Sequence, residues 1–96
     1  MKLYEPGTVI EIPCSIAPGA FPTEYFVAIP LDGEVINGFV PTHYISENGG
    51  ASAYIPGTVE RVTGSIITVR VPGSYFTTTG VADISQQWAE DHARLA

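Results

Sequence analysis

Cys14 and His43 are the side chains of this sequence that could supply a nucleophile and a general base, and Glu90-Asp91-His92 is a run of adjacent metal-ligating types. Thiol catalysis needs the sulfur within hydrogen-bond reach of its base, a third group to orient that base, and donors for the developing oxyanion. The sequence demonstrates none of these around Cys14, whose expected role is that of a small buried hydrophobe. Neighbouring helical positions point in different directions, and no second His or Cys pair accompanies Glu90-Asp91-His92. A solvated helix face is therefore the expected reading there, with no metal. Neither glycine-rich nucleotide motif occurs. The expectation is a non-catalytic protein without cofactors.

Aromatic side chains are the remaining candidates. Tyr4, Tyr25, Phe26, Phe39, Tyr44 and Tyr54 could line a binding ridge, because tyrosine offers an apolar ring with a polar tip. Some of them must also fill the interior, and Phe26 and Phe39 are expected there.

The elements that would position these residues read mostly as short strands. Thr8–Ile12 is β-branched and follows the Pro6-Gly7 turn signal. Cys14–Thr23 holds too much Pro and Gly for a sheet interior and is expected to be a long loop. Glu24–Leu31 is a second strand, Asp32-Gly33 a tight hairpin turn, and Glu34–Val40 the returning strand. Pro41, lacking an N–H, should end that strand before a short helical turn over Thr42–Ser46. Asn48–Ala53 should be the most flexible segment. Thr58–Val62 and Ile66–Val71 follow as strands around Thr63-Gly64-Ser65, with Ile67, Val69 and Val71 on one face. Tyr75–Gly80 reads as a strand or a loop. Asp83 and Gln86 have the spacing of a capping box for a C-terminal helix. That helix carries Ile84, Trp88 and Leu95 on one stripe and a Glu90–Arg94 pair, and should dock through Trp88.

Tyr4-Glu5-Pro6-Gly7-Thr8-Val9 is echoed fifty residues later by Tyr54-Ile55-Pro56-Gly57-Thr58-Val59. Duplication and convergent turn chemistry both account for the echo, and on either account each copy should start a strand.

Ninety-six residues fit one domain, with the barrel over about 3–80 and the helix over about 84–95. Ten acidic residues against four basic ones give a formal net charge of -6. Phosphate neutralisation needs Lys and Arg, so nucleic acid is an unlikely partner, whereas an acidic surface favours a basic one. The single cysteine excludes an intramolecular disulfide. No apolar run approaches a bilayer span and no secretory pattern opens the chain, so a cytoplasmic protein away from membranes is expected.

Tyr25-Phe26, the Asp32-Gly33 turn and Gly38-Phe39-Val40-Pro41-Thr42-His43-Tyr44-Ile45 resemble the second half of a Src-homology-3 domain, and Leu3-Tyr4-Glu5 is similar to that family's opening. The resemblance covers about the first half of the chain. It implies a small barrel that binds extended peptides across aromatic ridges, here Tyr4, Tyr25, Pro41 and Tyr44, with His43 at the family's Asn position. Pro6–Val9, Gly19–Phe21 and Glu34–Glu47 also look like a ribosomal-type OB repeat, which would implicate Phe21, Phe26 and His43 in stacking bases.

The expected fold is therefore all-β: a five- to six-stranded SH3-like or OB-like barrel with a short C-terminal α-helix. The leading expectation is an interaction module or assembly subunit that binds a protein or peptide through Tyr4, Tyr25, Pro41, His43 and Tyr44. The alternative is an acidic inhibitor that occupies a basic surface on a nucleic-acid-handling protein. Edge strands such as Glu34–Val40 or Ile66–Val71 could pair between subunits and leave homo-oligomers open.

Overall fold

Strict alternation of branched aliphatic residues builds the sheet. In the computed structural model, which describes residues 4–47, 49–76 and 78–95, Ile10, Ile12, Cys14 and Ile16 of strand β1 (Val9–Pro18) all point inward. They meet Val27, Ile29 and Leu31 of β2 (Glu24–Leu31) and Ile36 and Val40 of β3 (Glu34–Pro41). A 3₁₀ turn at Thr42–Tyr44 and β4 (Ser46–Glu47) lead to β5 (Ser52–Thr63), which adds Ala53, Ile55 and Val59 to the same interior. β6 (Ile66–Arg70), β7 (Ser74–Tyr75), β8 (Val81–Ser85), helix α1 (Gln86–His92) and β9 (Arg94–Leu95) complete the chain.

The strands form one antiparallel sheet, curled into a half-barrel, in the order β7-β3-β2-β1-β5-β6-β8, with β4 on β5 and β9 on β1. Seven strands lie on that path, more than the five or six expected: the segment read as a strand or a loop contributes β7 only at its start, and β8 takes Asp83 and Ile84, which were expected at the start of the helix. The eleven largest fully buried side chains among the described residues are all Ile or Val. Each such burial contributes about 1.5–3 kcal/mol. A register shift between Val59 and Arg61 bulges β5 against β6, and bulges of this kind raise the local twist that curls a sheet.

Two expected boundaries fail because prolines sit inside strands. Cys14–Thr23 is not a loop from its start: β1 continues through Pro13 to Pro18. Ile16 N–H donates to Ala51 O at 2.8 Å on the β5 side, so alternation aims the nitrogen of residue 13 at the opposite side. There β1 pairs with β9 at Ile10 and Glu11 and with β2 from Ser15 onward, so Pro13 falls in the gap where no N–H is needed. Pro56 uses the same device. Val59 N–H donates to Thr8 O, which turns the Pro56 nitrogen away from β1, into the interval between the β4 pairing at Tyr54 and the β6 pairing at Thr58.

The sequence echo does not repeat a structure. Pro6-Gly7 forms a turn with Gly7 at φ 93°, whereas Pro56-Gly57 lies in the middle of β5 rather than at its start. Gly57 faces inward, where a Cβ would stand 2.7 Å from Ile12 Cδ1. Of the expected flexible segment, Gly49 and Gly50 make a turn, Asn48 lies outside the described residues, and Ser52-Ala53 already belong to β5.

The C-terminal helix is shorter than expected. Asp83 lies in β8, where its carboxylate accepts from Thr68 Oγ1 at 2.6 Å, and Ser85 is the cap instead, accepting from Trp88 N–H at 3.0 Å. Arg94 has left the helix for β9. It pairs with Glu11 at 3.0 Å rather than with Glu90, and its guanidinium sits 3.7 Å above the Tyr54 ring. The helix docks through the fully buried Ala89, with Trp88 half-buried beside it.

Candidate functional site

The segment between β6 and β8 decides the shape of the surface around Tyr44. After Val71, Pro72-Gly73 turns the chain back to the edge of β3, where Tyr75 pairs opposite Gly38 and Ser74 opposite Phe39. A Cβ on Gly38 would collide with Ser74 O and lie 2.8 Å from Tyr75 Cα, so only glycine lets β7 cross this close. The Tyr75 ring points inward among Gly38, Gly73 and Gly80, and its hydroxyl donates to Pro72 O at 2.6 Å. Burial pushes its phenol far above the ordinary tyrosine range.

Pro72-Gly73 then stands opposite the 3₁₀ turn that presents His43 and Tyr44. On one side of the wall made by Tyr44, Pro72 and Gly73 lies a depression of about 470 Å³, lined also by Val9, Pro56, Thr58 and Arg70. On the other lies one of about 610 Å³, lined also by Glu24, Phe39 and Pro41. Glu24 leads on to a third, of about 360 Å³, between Phe21, Pro22 and Tyr25. Three shallow depressions thus adjoin one another through shared lining residues, and aromatic rings and prolines are prominent in their linings.

The expected site residues divide. Tyr44, 42 % exposed, and Pro41 line this track, and Tyr25 lines its far end with its hydroxyl donating to Glu47 Oε1 at 3.0 Å. That hydrogen bond to a carboxylate raises the Tyr25 phenol above its usual value. His43 is exposed and packs on Tyr44, ring centroids 4.2 Å apart. Tyr4 is instead buried in the core, where desolvation and the nearby Glu90 carboxylate raise its phenol. Its small polar tip did not keep it at the surface, and the Pro6-Gly7 turn follows closely after it, with Gly7 N–H donating to Val59 O at 2.8 Å.

Phe26 and Phe39, expected in the core, are half-buried on the outer face of the sheet. The runs Tyr25-Phe26-Val27 and Gly38-Phe39-Val40 are apolar at every position, so alternation alone leaves the inward set undecided; the hairpin register turns Val27 and Val40 inward and the two phenylalanines out. They join Phe76, 64 % exposed, in a cluster with centroids 5.6, 5.8 and 6.1 Å apart. Pro56, Pro72 and Phe76 were not foreseen as surface-forming residues. The signal for Pro72 was present, since Pro-Gly directly after a strand marks a turn and aromatics follow it.

The chemistry first considered for Cys14 is not assembled. Its side chain points into the core, where desolvation pushes the thiol up to about 11, while His43 stands in solvent. The described arginines are all engaged: Arg70 with Glu60 at 2.7 Å, Arg94 with Glu11, and Arg61 at 3.5 Å from Thr68, itself bonded to Asp83. Compared with known proteins, the chain matches no family model, and no curated protein or solved structure is significantly similar to it.

Proposed function

We propose that this protein is a non-catalytic interaction module that holds an extended segment of a protein partner along the track crossed by Tyr44. The observation that carries the reading is the continuity of the three depressions, which share Glu24 at one junction and the Tyr44–Pro72–Gly73 wall at the other. A strip in which rings and prolines outnumber the polar side chains, Glu24, Thr58, Arg70, Ser74 and Thr79, suits a backbone already extended, since little conformational entropy is then lost on docking. Tyr25, Pro41, His43 and Tyr44 are the contact residues on this reading, joined by Pro72. This mode of binding agrees with an SH3-like use of the surface, although the sheet has more strands than such a barrel requires.

The test is capture of partners from lysate of the source cells by tagged wild-type protein and by Tyr44→Ala, whose fold is checked by its melting temperature. Tyr44 is solvent-facing, so the variant should stay folded and lose the partner. An unchanged partner set with Tyr44→Ala refutes the track.

A second reading, an acidic inhibitor of a protein with a basic surface, is favoured by the engagement of the described arginines with acidic partners or their hydrogen-bond networks. It predicts binding that collapses at about 0.5 M salt, where charges are screened within a few ångströms, whereas capture on the aromatic track persists.

A further inference from the structure

We infer that the outer face of the β1–β2–β3 sheet is a self-association surface on which a second copy of this chain docks. Its outward positions form rows across the strands. Ala17, Phe26 and Phe39 lie in one row, capped by Phe76, and Ser15, Ala28 and Asn37 lie in the next. Pro30 and Val35 follow, and Val35 is 57 % exposed.

Charge and shape select the occupant. Outward residues from Pro13 to Ala17 on β1, Phe26 to Pro30 on β2 and Val35 to Phe39 on β3 include no ionisable group, in a chain whose net charge is -6. Two copies repel each other over the acidic remainder of the surface and can approach closely only where charge is absent. The side-chain pattern is complementary to itself: the row carrying Phe26, Phe39 and Phe76 borders the smaller side chains Ser15, Ala28 and Asn37 about 7 Å along the strands. A two-fold axis lying in the interface, across the strands and between these rows, sets each copy's aromatic row on the other's small row. This is the isologous arrangement of closed dimers. Five residues on each of three strands present about 250 Å² of uncharged sheet, and twice that places the contact in the weak, transient class.

The surface is distinct from the Tyr44 track, apart from Phe39 at their border, so either proposal can fail alone. Sedimentation velocity of the full chain, from about 10 µM to 1 mM, tests it. The weight-average mass should rise from 10.2 kDa toward twice that value and should not fall at high salt. Ala28→Glu and, separately, Val35→Glu and Phe76→Glu should weaken the association at least tenfold, each with a thermal melt confirming the fold. Tyr44→Ala should leave it unchanged. A wild-type mass that stays monomeric throughout overturns the inference, as does association that dissolves in salt, that survives the folded glutamate variants, or that is lost with Tyr44→Ala.

Discussion

Replacing Gly38 with alanine tests the close crossing of β3 by β7 on which the Tyr44 track depends. The added methyl would meet two backbone atoms, Ser74 O and Tyr75 Cα, the latter at 2.8 Å, together with Tyr75 Cδ1 at 2.8 Å. Backbone cannot rotate out of the way as a side-chain tip can, so β7 must move outward and take with it the pairing at Gly38 and Phe39. Overpacking a tight contact costs about 1–3 kcal/mol, and this site belongs at the upper end; stiffening the unfolded chain returns about 0.4–1 kcal/mol. A net loss of about 2 kcal/mol follows. For a domain of this size it lowers the melting temperature by about 8–16 °C. Gly57→Ala is the internal comparison, because its methyl meets only the Ile12 Cδ1 terminus within 3 Å, which can turn aside. Urea and thermal denaturation of both variants should rank Gly38→Ala as clearly the more damaging. Amide spectra of Gly38→Ala should shift over residues 72–76 more than over the β5–β6 pair. A Gly38→Ala protein as stable as wild type, or one less affected than Gly57→Ala, would refute the account of this crossing.

Other outcomes follow from the same geometry. Ile29→Ala and Ile55→Ala, each at a fully buried position, should cost about 2–5 kcal/mol in denaturant titrations. Ser85→Ala removes the acceptor for Trp88 N–H and should cost about 1 kcal/mol, whereas Asp83→Ala should leave the helix ends unchanged in chemical-shift measurements while disturbing Thr68. Cys14 has its thiol raised from 9.0 to about 11 by burial, so the folded state retains a proton that the unfolded chain gives up between those values. Stability is therefore fully present below pH 9 and should decline by at most about 3 kcal/mol as pH rises through 11, a slope that Cys14→Ala reduces. Thiol labelling of Cys14 in the folded protein should be slow and should accelerate on unfolding.

Local chemistry determined much of this protein directly from its sequence. Asp32-Gly33 closes the β2–β3 hairpin with Gly33 at φ 87°, Pro41 ends β3, and Ile67, Val69 and Val71 take one buried face. Each depends on neighbours within a few residues. The candidate site was half legible for the same reason, since the turn after Pro41 carries Tyr44 outward whatever surrounds it.

Tertiary structure decided the rest, because the relevant partners are remote in sequence. Whether Pro13 and Pro56 could lie inside strands depended on gaps between strands that pair elsewhere on β1 and β5. Identical Pro-Gly-Thr-Val segments became a turn and a mid-strand according to what packs against the glycine. The phenylalanines at 26 and 39 faced outward because register, set by the hairpin and not by hydrophobicity, sends the valines beside them inward. Pro72 joined Tyr44 in one surface only because Gly38, over thirty residues away, leaves room for the strand that follows it.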